Sequence, residues 1–290
     1  MTRCGAAFQD RDGRRTTAER DETMALTLGR GPFGPQEAGR FNGHWDGPAH
    51  TLYWEDFQPR LRAVVAGETV LDSRRAKMLH ETGHLAVLYV PREDVRSDLL
   101  EPSQHHTHCP FKGDASYWSL RAGERLLENV VWSYPQPLDG AAWLEGYVAV
   151  YPDAVDEWYV EDERVYAHVK DPYHRVDVHP SSRHVVVRHG GQVVADSTQP
   201  VLLFETSLPV RYYLPQADVN PDLLERSETV SDCPYKGAGQ HWHLKVGDTT
   251  VEDAAWSLPD PLPEGLAAKD HICFYPDKVD IEVDGQRVAA

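Results

Sequence analysis

The sequence predicts a mainly β protein made of two tandem domains of antiparallel sheet, with few short helices. Three observations lead to this prediction. One motif occurs twice, as Cys-Pro-Phe-Lys-Gly at 109–113 and Cys-Pro-Tyr-Lys-Gly at 233–237, each two residues after a hydroxyl residue, Thr107 or Ser231. β-rich runs broken by glycine turns recur in both halves, and each half has only one short segment with a helical pattern.

The two motifs belong to an internal duplication of the size of a domain. At an offset of 124 residues, positions 67–156 and 191–280 align without a gap and share 34 identities in 90 pairs. A chain of 290 residues is also long enough for two domains of ordinary size. We therefore predict a first repeat domain at 24–166, a linker at 167–173 and a second repeat domain at 174–290.

Each repeat contains two predicted hairpins. The runs at 61–71 and 185–195 are rich in β-forming residues on both sides of a glycine, which is typical of two strands joined by a tight turn. A second hairpin is predicted at 118–132 and 242–256, where a tryptophan stands at each end. Whether those two tryptophans share a face depends on the turn length, which the sequence leaves open.

Short helical turns are predicted at 94–100 and 218–224, because an acidic first residue suits a helix N-terminus. We expect those first residues, Asp94 and Asp218, to cap the turns. The repeated Asp-Ser pair that precedes each turn is expected to close the first hairpin through side-chain hydrogen bonds to the backbone.

Composition excludes several classes of protein. The chain is 41% hydrophobic and 26% charged, and it contains no apolar run near the roughly 18 residues that a membrane span needs. The net charge of −17 opposes binding to DNA, RNA or anionic lipid. Residues 1–23 mix arginine with acidic residues, so we predict a disordered arm there and no secretory signal. The four cysteines form no C-x-x-C pair, so we expect no disulfide framework and a reducing cytoplasm.

The repeated residues resemble a known family. Each copy contains, in order, D-S-x(7)-E-T, Y-x-P-x-x-D-V-x-x-D-L-L, [ST]-x-C-P-[FY]-K-G, two tryptophans and Y-P-D-x-V-D, and the chain is identified as a tandem member of domain of unknown function family 427. That resemblance implies a β-tent fold, in which two antiparallel sheets meet near a right angle. Several β-tent relatives hold a zinc ion with four cysteines, but neither repeat has paired cysteines, so we expect no metal and no cofactor.

Lysine in the repeated motif is the first candidate for a functional residue. The chain has seven lysines, and two of them, Lys112 and Lys236, occupy the same motif position. Keeping lysine in a chain that favours arginine indicates a specific ammonium, either an anion clamp or a tunable acid or base. The structural alternative is that each lysine pairs with Glu81 or Glu205 to fasten a turn.

Cys109 and Cys233 are candidate nucleophiles, because an ammonium nearby would stabilise a thiolate. A buried core role is the stronger interpretation, since cysteine is among the most buried residue types. No equivalent histidine stands near both copies to act as a base, and the histidines at 105, 106 and 108 are absent from repeat two. We interpret that histidine run as a solvated loop.

Glutamate, tyrosine and tryptophan complete the candidate site. Together with the lysines, the predicted ligand-binding residues are Glu81, Tyr89, Trp118 and Trp132 in the first repeat, and Glu205, Tyr213, Trp242 and Trp256 in the second. A carboxylate, a phenol and an ammonium could together bind a polar ligand that carries both donors and acceptors. The tryptophans are more often core residues, although β-tent relatives that bind small rings use tryptophans as a cage.

Three functions remain open from the sequence. The favoured hypothesis is a small-molecule binding protein with a cleft in each repeat, acting without covalent chemistry. The second is a nucleotidyltransferase-like enzyme, a label attached to the family, although no phosphate-binding G-x-x-x-x-G-K-[ST] loop is present. The third is a scaffold that binds another protein. A monomer is expected, because the two repeats can pack on each other.

Overall fold

The computed structural model describes residues 26–27, 31–35, 48–165, 167–206 and 208–289. The arm predicted at 1–23 lies outside these residues. The chain divides between Asp171 and Pro172 into two compact parts, which we call unit 1 and unit 2.

Unit 1 consists of a large and a small antiparallel sheet. Its strands within the described residues are β1 (Leu52–Asp56), β2 (Leu61–Val65), β3 (Glu68–Ser73), β4 (Lys77–Glu81), β5 (Val87–Pro91), β6 (Leu100–Cys109), β7 (Gly113–Ala122), β8 (Arg125–Ser133), β9 (Tyr147–Val150), β10 (Glu157–Val160) and β11 (Glu163–Val165). The seven-stranded sheet has the order β1-β4-β5-β9-β8-β7-β6, and the four-stranded sheet has the order β11-β10-β2-β3.

Unit 2 repeats this arrangement. Its strands are β12 (Val176–Pro180), β13 (Val185–His189), β14 (Gln192–Ser197), β15 (Val201–Glu205), β16 (Arg211–Pro215), β17 (Leu224–Cys233), β18 (Gly237–Val246), β19 (Thr249–Ser257), β20 (His271–Phe274), β21 (Asp280–Val283) and β22 (Gln286–Arg287). The sheet orders are β12-β15-β16-β20-β19-β18-β17 and β14-β13-β21-β22. The predicted fold class, mainly β with two tandem domains of antiparallel sheet, is confirmed.

The predicted hairpins are present in both units. β2 pairs with β3 through a turn in which Ala66 and Gly67 have φ angles of 51° and 78°. Two consecutive positive φ values are typical of a type I′ turn, whose twist matches that of the flanking strands. Unit 2 uses Gly190 and Gly191 at the same place, with φ angles of 57° and 84°. The second hairpin is formed by β7 with β8, and by β18 with β19.

The helical segments are short 3₁₀ turns. They are Arg92–Asp94, Ser97–Leu99, Asp139–Leu144 and Pro152–Ala154 in unit 1, and Gln216–Asp218, Pro221–Leu223 and Pro263–Ala268 in unit 2. The predicted capping role of Asp94 and Asp218 is wrong, because each lies at the end of its first turn and caps no backbone group there. Asp94 instead accepts a hydrogen bond from Ser73 at 2.7 Å, and Asp218 accepts one from Ser197 at 2.6 Å.

Alternation along the strands of the large sheet divides each unit into two cores. In unit 1, Val90 and Val131 face the core shared with the small sheet. Their neighbours Tyr89 and Trp132 face the opposite side, where the turn Asp139–Leu144 covers them. Side chains of a strand alternate between faces, so the two cores use different residues of the same strands. The candidate site lies on the side away from the small sheet.

The histidine run at 105–108 belongs to a strand. It lies in β6, at the edge of the large sheet, where β6 pairs with β7. The prediction of a loop is therefore wrong, since backbone pairing with β7 keeps this segment extended. His105, His106 and His108 are nevertheless exposed, as expected for an edge strand that carries polar side chains.

Candidate functional site

A buried carboxylate in unit 1 binds two basic side chains. Glu81 is the last residue of β4, and its Oε2 accepts a hydrogen bond from Lys112 Nζ. Its Oε1 lies 3.0 Å from His50 Nε2. An ionised carboxylate can only accept hydrogen bonds, so His50 donates through its Nε2–H. Glu81 and Lys112 are both buried.

Unit 2 builds the same arrangement from equivalent residues. Glu205 ends β15, its Oε2 accepts a hydrogen bond from Lys236 Nζ, and its Oε1 lies 2.9 Å from His174 Nε2. The predicted pairing of lysine with glutamate is thus present in both units. We call these three side chains of each unit the Lys–Glu–His set.

The backbone around the repeated motif fixes the lysine. Gly113 has a φ of 101°, and a Cβ atom there would lie 3.3 Å from the carbonyl oxygen of Gln136. The N–H of Leu138 donates to the Lys112 carbonyl at 3.1 Å. Gly237 shows the same positive φ and an even closer approach. Glycine after the lysine therefore lets the Pro-x-Pro segment pack directly against the turn that carries the ammonium.

The threonine after each glutamate positions the histidine. The N–H of Thr51 donates to Thr82 Oγ1 at 3.0 Å, and the N–H of Thr82 donates back to the Thr51 carbonyl at 3.1 Å. Arg175 and Thr206 exchange the same two bonds in unit 2, at 2.7 and 2.9 Å. Thr51 and Arg175 directly follow the histidines, so the repeated Glu-Thr pair holds the carboxylate and the histidine segment together.

An aromatic side chain of the motif packs against each histidine ring, stacked in unit 1 and tilted by 36° in unit 2. The rings of His50 and Phe111 are 3.6 Å apart and nearly parallel, and those of His174 and Tyr235 are 4.3 Å apart. The aromatic position before the motif lysine thus fixes the imidazole plane while its edge contacts the carboxylate. This contact explains why phenylalanine and tyrosine exchange at that position.

Electrostatics favour the ionised carboxylate in both units. Burial by itself raises the pKa of Glu81, but the charge of Lys112 and the hydrogen bonds from Lys112 and His50 lower it further, so the net pKa is below its usual value. The pKa of Glu205 is also lowered, where burial is opposed by its histidine hydrogen bond and by the lysine. Each set therefore holds a carboxylate anion beside an ammonium.

The repeated histidine was missed by the sequence analysis, and the statement that no equivalent histidine stands near both copies is wrong. His50 and His174 are separated by the same 124 residues as the motifs. The signal was present, because Pro48 and Pro172 precede them at the same offset. The surrounding residues have diverged so far that these two identities stand outside the gap-free alignment.

Tyrosine and one tryptophan of each repeat lie together beside the set. Trp256 Nε1 donates to the hydroxyl of Tyr213 at 3.0 Å. The rings of Tyr89 and Trp132 are 6.2 Å apart in unit 1, in the same core as Leu79 of β4. Burial raises the pKa of both tyrosines, so their hydroxyls stay protonated.

The other tryptophan of each hairpin lies on the opposite face. Val131 of β8 pairs with Trp118, whereas Trp132 pairs with Tyr117. Trp118 therefore packs in the core shared with the small sheet, where Arg92 lies 4.6 Å above its ring. Trp242 occupies the equivalent place in unit 2. The two tryptophans of one hairpin do not form a common cage.

The motif cysteines are core side chains. Cys109 is buried in unit 1, and Cys233 packs beside the equivalent core of unit 2. Burial raises the pKa of the Cys233 thiol although Lys236 opposes this effect, so the ammonium does not produce an activated thiolate. Cys273 is also buried, which raises its pKa to about 12.

The hydroxyl residue before each motif has a partner that changed between the copies. Thr107 Oγ1 lies 2.9 Å from the hydroxyl of Tyr117, and Ser231 Oγ lies 3.0 Å from Nε2 of His241. Tyrosine and histidine therefore supply the same polar contact across β6–β7 and β17–β18. Within the described ranges, no group of three or more His, Cys, Asp or Glu side chains is arranged to hold a metal ion.

Comparison with known families supports the duplication. A family model described as a domain of unknown function (DUF427) matches residues 54–161 and again residues 177–285. The chain therefore belongs to the DUF427 family and carries two copies of its domain. A search of curated proteins finds no match. In the part of the chain that the structure describes, every helix is too short to cross a membrane.

Proposed function

We propose that this protein binds a small polar or ring-containing molecule at the Lys–Glu–His set of each unit, without covalent chemistry. The observation that carries the proposal is that a lysine and a histidine contact the same two carboxylate oxygens in both copies, although the copies share only 34 of 90 aligned residues. A buried ion pair is often replaced by apolar residues without loss of stability. Its retention in both copies therefore favours a role in binding.

Hydrogen-bonding capacity remains at the set of unit 1. An ammonium has three donors, and Lys112 uses one on Glu81 while it faces the ring of Tyr134 at 5.7 Å. Among the described residues, Lys112 has no second hydrogen-bond acceptor, and Nδ1 of His50 has no partner. A ligand with both donors and acceptors matches these groups.

A second candidate is an enzyme that uses the histidine for acid–base catalysis. The specific observation in its favour is the repeated contact between imidazole and carboxylate, because a carboxylate commonly orients a catalytic imidazole and selects its tautomer. Among the described residues, no comparable contact supports the nucleotidyltransferase or the scaffold alternative. Nucleotides in the screening library test the nucleotidyltransferase alternative. A screen in which no compound binds favours the scaffold.

We also propose that the protein is a cytoplasmic monomer that binds neither nucleic acid nor membranes. The net charge of −17 supports the absence of binding to polyanions, because such binding requires a basic surface. Light scattering after size exclusion tests the monomer, and a mass of two chains would contradict it.

The test is a thermal-unfolding screen against nucleotides, nucleosides, cyclic imides, sugars and amino-acid derivatives. A compound that binds only the folded protein raises the unfolding midpoint. Hits are then measured by calorimetric titration on the wild type and on two double variants, Lys112→Met with Glu81→Gln, and Lys236→Met with Glu205→Gln. Each double variant removes both charges, so that no unpaired buried charge is left. Lys245→Met is the control, because Lys245 forms an exposed pair with Glu225.

A compound that binds the wild type and the control but loses affinity for a double variant supports the proposal for that unit. Binding that is equal in all variants overturns it. Hits recovered after incubation are compared by mass with the starting compound. A changed mass that depends on His50 or His174, tested with His50→Gln and His174→Gln, favours the enzyme. A library without any hit favours the scaffold.

A further inference from the structure

An arginine beside the set of unit 2 has only aromatic partners. Arg211 begins β16 and is partly buried, and its guanidinium carbon lies 5.5 Å from the ring centre of Trp256 and 6.0 Å from that of Tyr275. Among the described residues, no carboxylate, carbonyl or hydroxyl group forms a hydrogen bond or ion pair with it. The chain has 46 acidic residues, any of which is of the right type to form an ion pair with Arg211.

The position of Arg211 in the sheet places it next to Glu205. Arg211 pairs directly with Leu203 of β15, and Glu205 lies two residues further along that strand. Residues two apart on a strand share a face, and diagonal cross-strand neighbours lie about 7 to 8 Å apart. Tyr213, two residues after Arg211, shares the same face and binds Trp256. Arg211 and Glu205 therefore lie on the same face of the large sheet, on adjacent strands.

The chemistry of a guanidinium beside two aromatic rings defines what it can bind. A cation–π contact with a ring uses no hydrogen-bond acceptor, so the N–H donors of Arg211 stay available for a ligand. Those donors match the two oxygens of a carboxylate or phosphate in a bidentate pair. Contact with the rings of Trp256 and Tyr275 restricts the position of the guanidinium before any ligand binds, which reduces the entropy lost on binding.

We propose that Arg211 is an anion subsite, so that the ligand of unit 2 carries a carboxylate or phosphate group beside the part bound by the Lys–Glu–His set. This inference rests on the proposed function and specifies the ligand class of one unit. The equivalent residue in unit 1 is Val87, which packs against the same buried cluster as Trp54, Trp143 and Tyr147. Unit 1 therefore offers an apolar and aromatic border, and its ligand needs no anionic group at this position.

The experiment uses two probes of the same size, benzoate and benzamide, together with phenyl phosphate. Binding of each to the full chain is measured by calorimetric titration at constant ionic strength. Arg211→Val introduces the residue that unit 1 carries at the equivalent strand position, and its unfolding midpoint is measured beside that of the wild type. Val87→Arg is the reciprocal variant. Arg287→Gln is the control, because Arg287 forms an exposed ion pair with Asp280 in the same unit.

We expect the wild type and the control to bind benzoate and phenyl phosphate at least about tenfold more tightly than benzamide, as a charge-assisted bidentate pair implies. Arg211→Val removes this preference and leaves benzamide unchanged. Val87→Arg adds a second anion subsite, so that unit 1 also binds benzoate more tightly than benzamide. Arg211→Lys retains the charge without the fork and restores the preference only in part.

Equal affinity of benzoate for the wild type and Arg211→Val overturns the subsite, and so does a wild type that binds none of the anions. The double variant Lys236→Met with Glu205→Gln separates this failure from that of the proposed function. If that variant loses benzamide while Arg211→Val changes nothing, the set binds ligand and the subsite is wrong. If only Arg211→Val changes anion affinity, the subsite stands and the set is not the ligand site of unit 2.

Discussion

Unit 1 and unit 2 contain the same Lys–Glu–His set but enclose it differently. In unit 1 the side chain of His50 is 19% exposed, and Phe111, on which it stacks, is 42% exposed. In unit 2 the side chain of His174 is 1% exposed, and Tyr235 is 3% exposed. The interactions within the set therefore follow from the duplicated fold, whereas access to the histidine differs between the copies.

The borders of the two sets differ as well. Trp54 and Val87 of unit 1 correspond to Val178 and Arg211 of unit 2. Both copies thus retain the buried charges while the residues around them vary between apolar, aromatic and cationic. Under the proposed binding function, differences at these positions change the relative affinity of the two units for a ligand without removing the shared contacts.

Removing the carboxylate of each set tests whether the two units bury their sets to different extents. This change has the largest expected effect. We expect Glu205→Ala to reduce the free energy of unfolding by about 3 to 5 kcal/mol, because Glu205 is buried and the variant removes the carboxylate from both Lys236 and His174. Glu81→Ala should cost less, since water reaches His50 and can compensate for part of the lost contact. Calorimetry of the full chain measures both losses.

Lys245→Ala serves as the reference for an exposed ion pair and should change stability by less than about 1 kcal/mol. A loss in Glu81→Ala that equals or exceeds the loss in Glu205→Ala would contradict the idea that unit 2 encloses its carboxylate and histidine more completely.

Truncation of the stacked aromatic residue tests the same difference through packing alone. Tyr235→Ala should reduce the free energy of unfolding by about 3 kcal/mol, as is common for a buried aromatic side chain. Phe111→Ala should cost about 1 kcal/mol or less, because a large part of its ring is already in contact with water. Similar losses in both variants, measured by urea denaturation, would show that the two stacks are equally buried.

Most of the fold followed from local patterns in the sequence. Glycine turns between β-rich runs predicted the hairpins β2–β3 and β7–β8, and the 124-residue offset predicted their counterparts. The sequence did not predict which face of the hairpin Trp118 and Trp132 each occupy, because this depends on the number of residues in the turn. Ala122 pairs with Arg125, so the turn has two residues, and this puts the two tryptophans on opposite faces.

The candidate site was predicted in part for a similar reason. Lys112 and Glu81 stand in strongly repeated motifs, which made their pairing predictable. His50 lies 31 residues before Glu81, on the far side of a stretch in which the copies share little. Only the fold of β1 against β4 brings the two together. Arg211 could not be found by comparing the copies, because it is a position at which they differ.

Acid titration tests a property that both units share, the ionised carboxylate of the Lys–Glu–His set. The folded pKa values of Glu81 and Glu205 lie below their ordinary value of 4.5, so the stability that these carboxylates contribute is fully present above about pH 4.5 and is lost as the pH falls through the lower folded values. The two double variants, Lys112→Met with Glu81→Gln and Lys236→Met with Glu205→Gln, should each show a flatter loss of stability in acid. An unchanged slope in either variant would exclude a linked carboxylate in that unit.

Thiol labelling compares the motif cysteines of the two units, and its expected effect is the smallest. Cys109 is buried, whereas Cys233 is only partly buried, so native alkylation by iodoacetamide should be slow at both but faster at Cys233. Because the charge of Lys236 opposes the rise in the Cys233 pKa, Lys236→Met should raise that pKa further and slow the labelling. Peptide mass spectrometry follows each cysteine, Lys245→Met is the control, and urea-unfolded protein gives complete labelling. Faster labelling of Cys233 in Lys236→Met would mean that the lysine acts mainly by closing the turn over the thiol, and that its charge has little influence on the site.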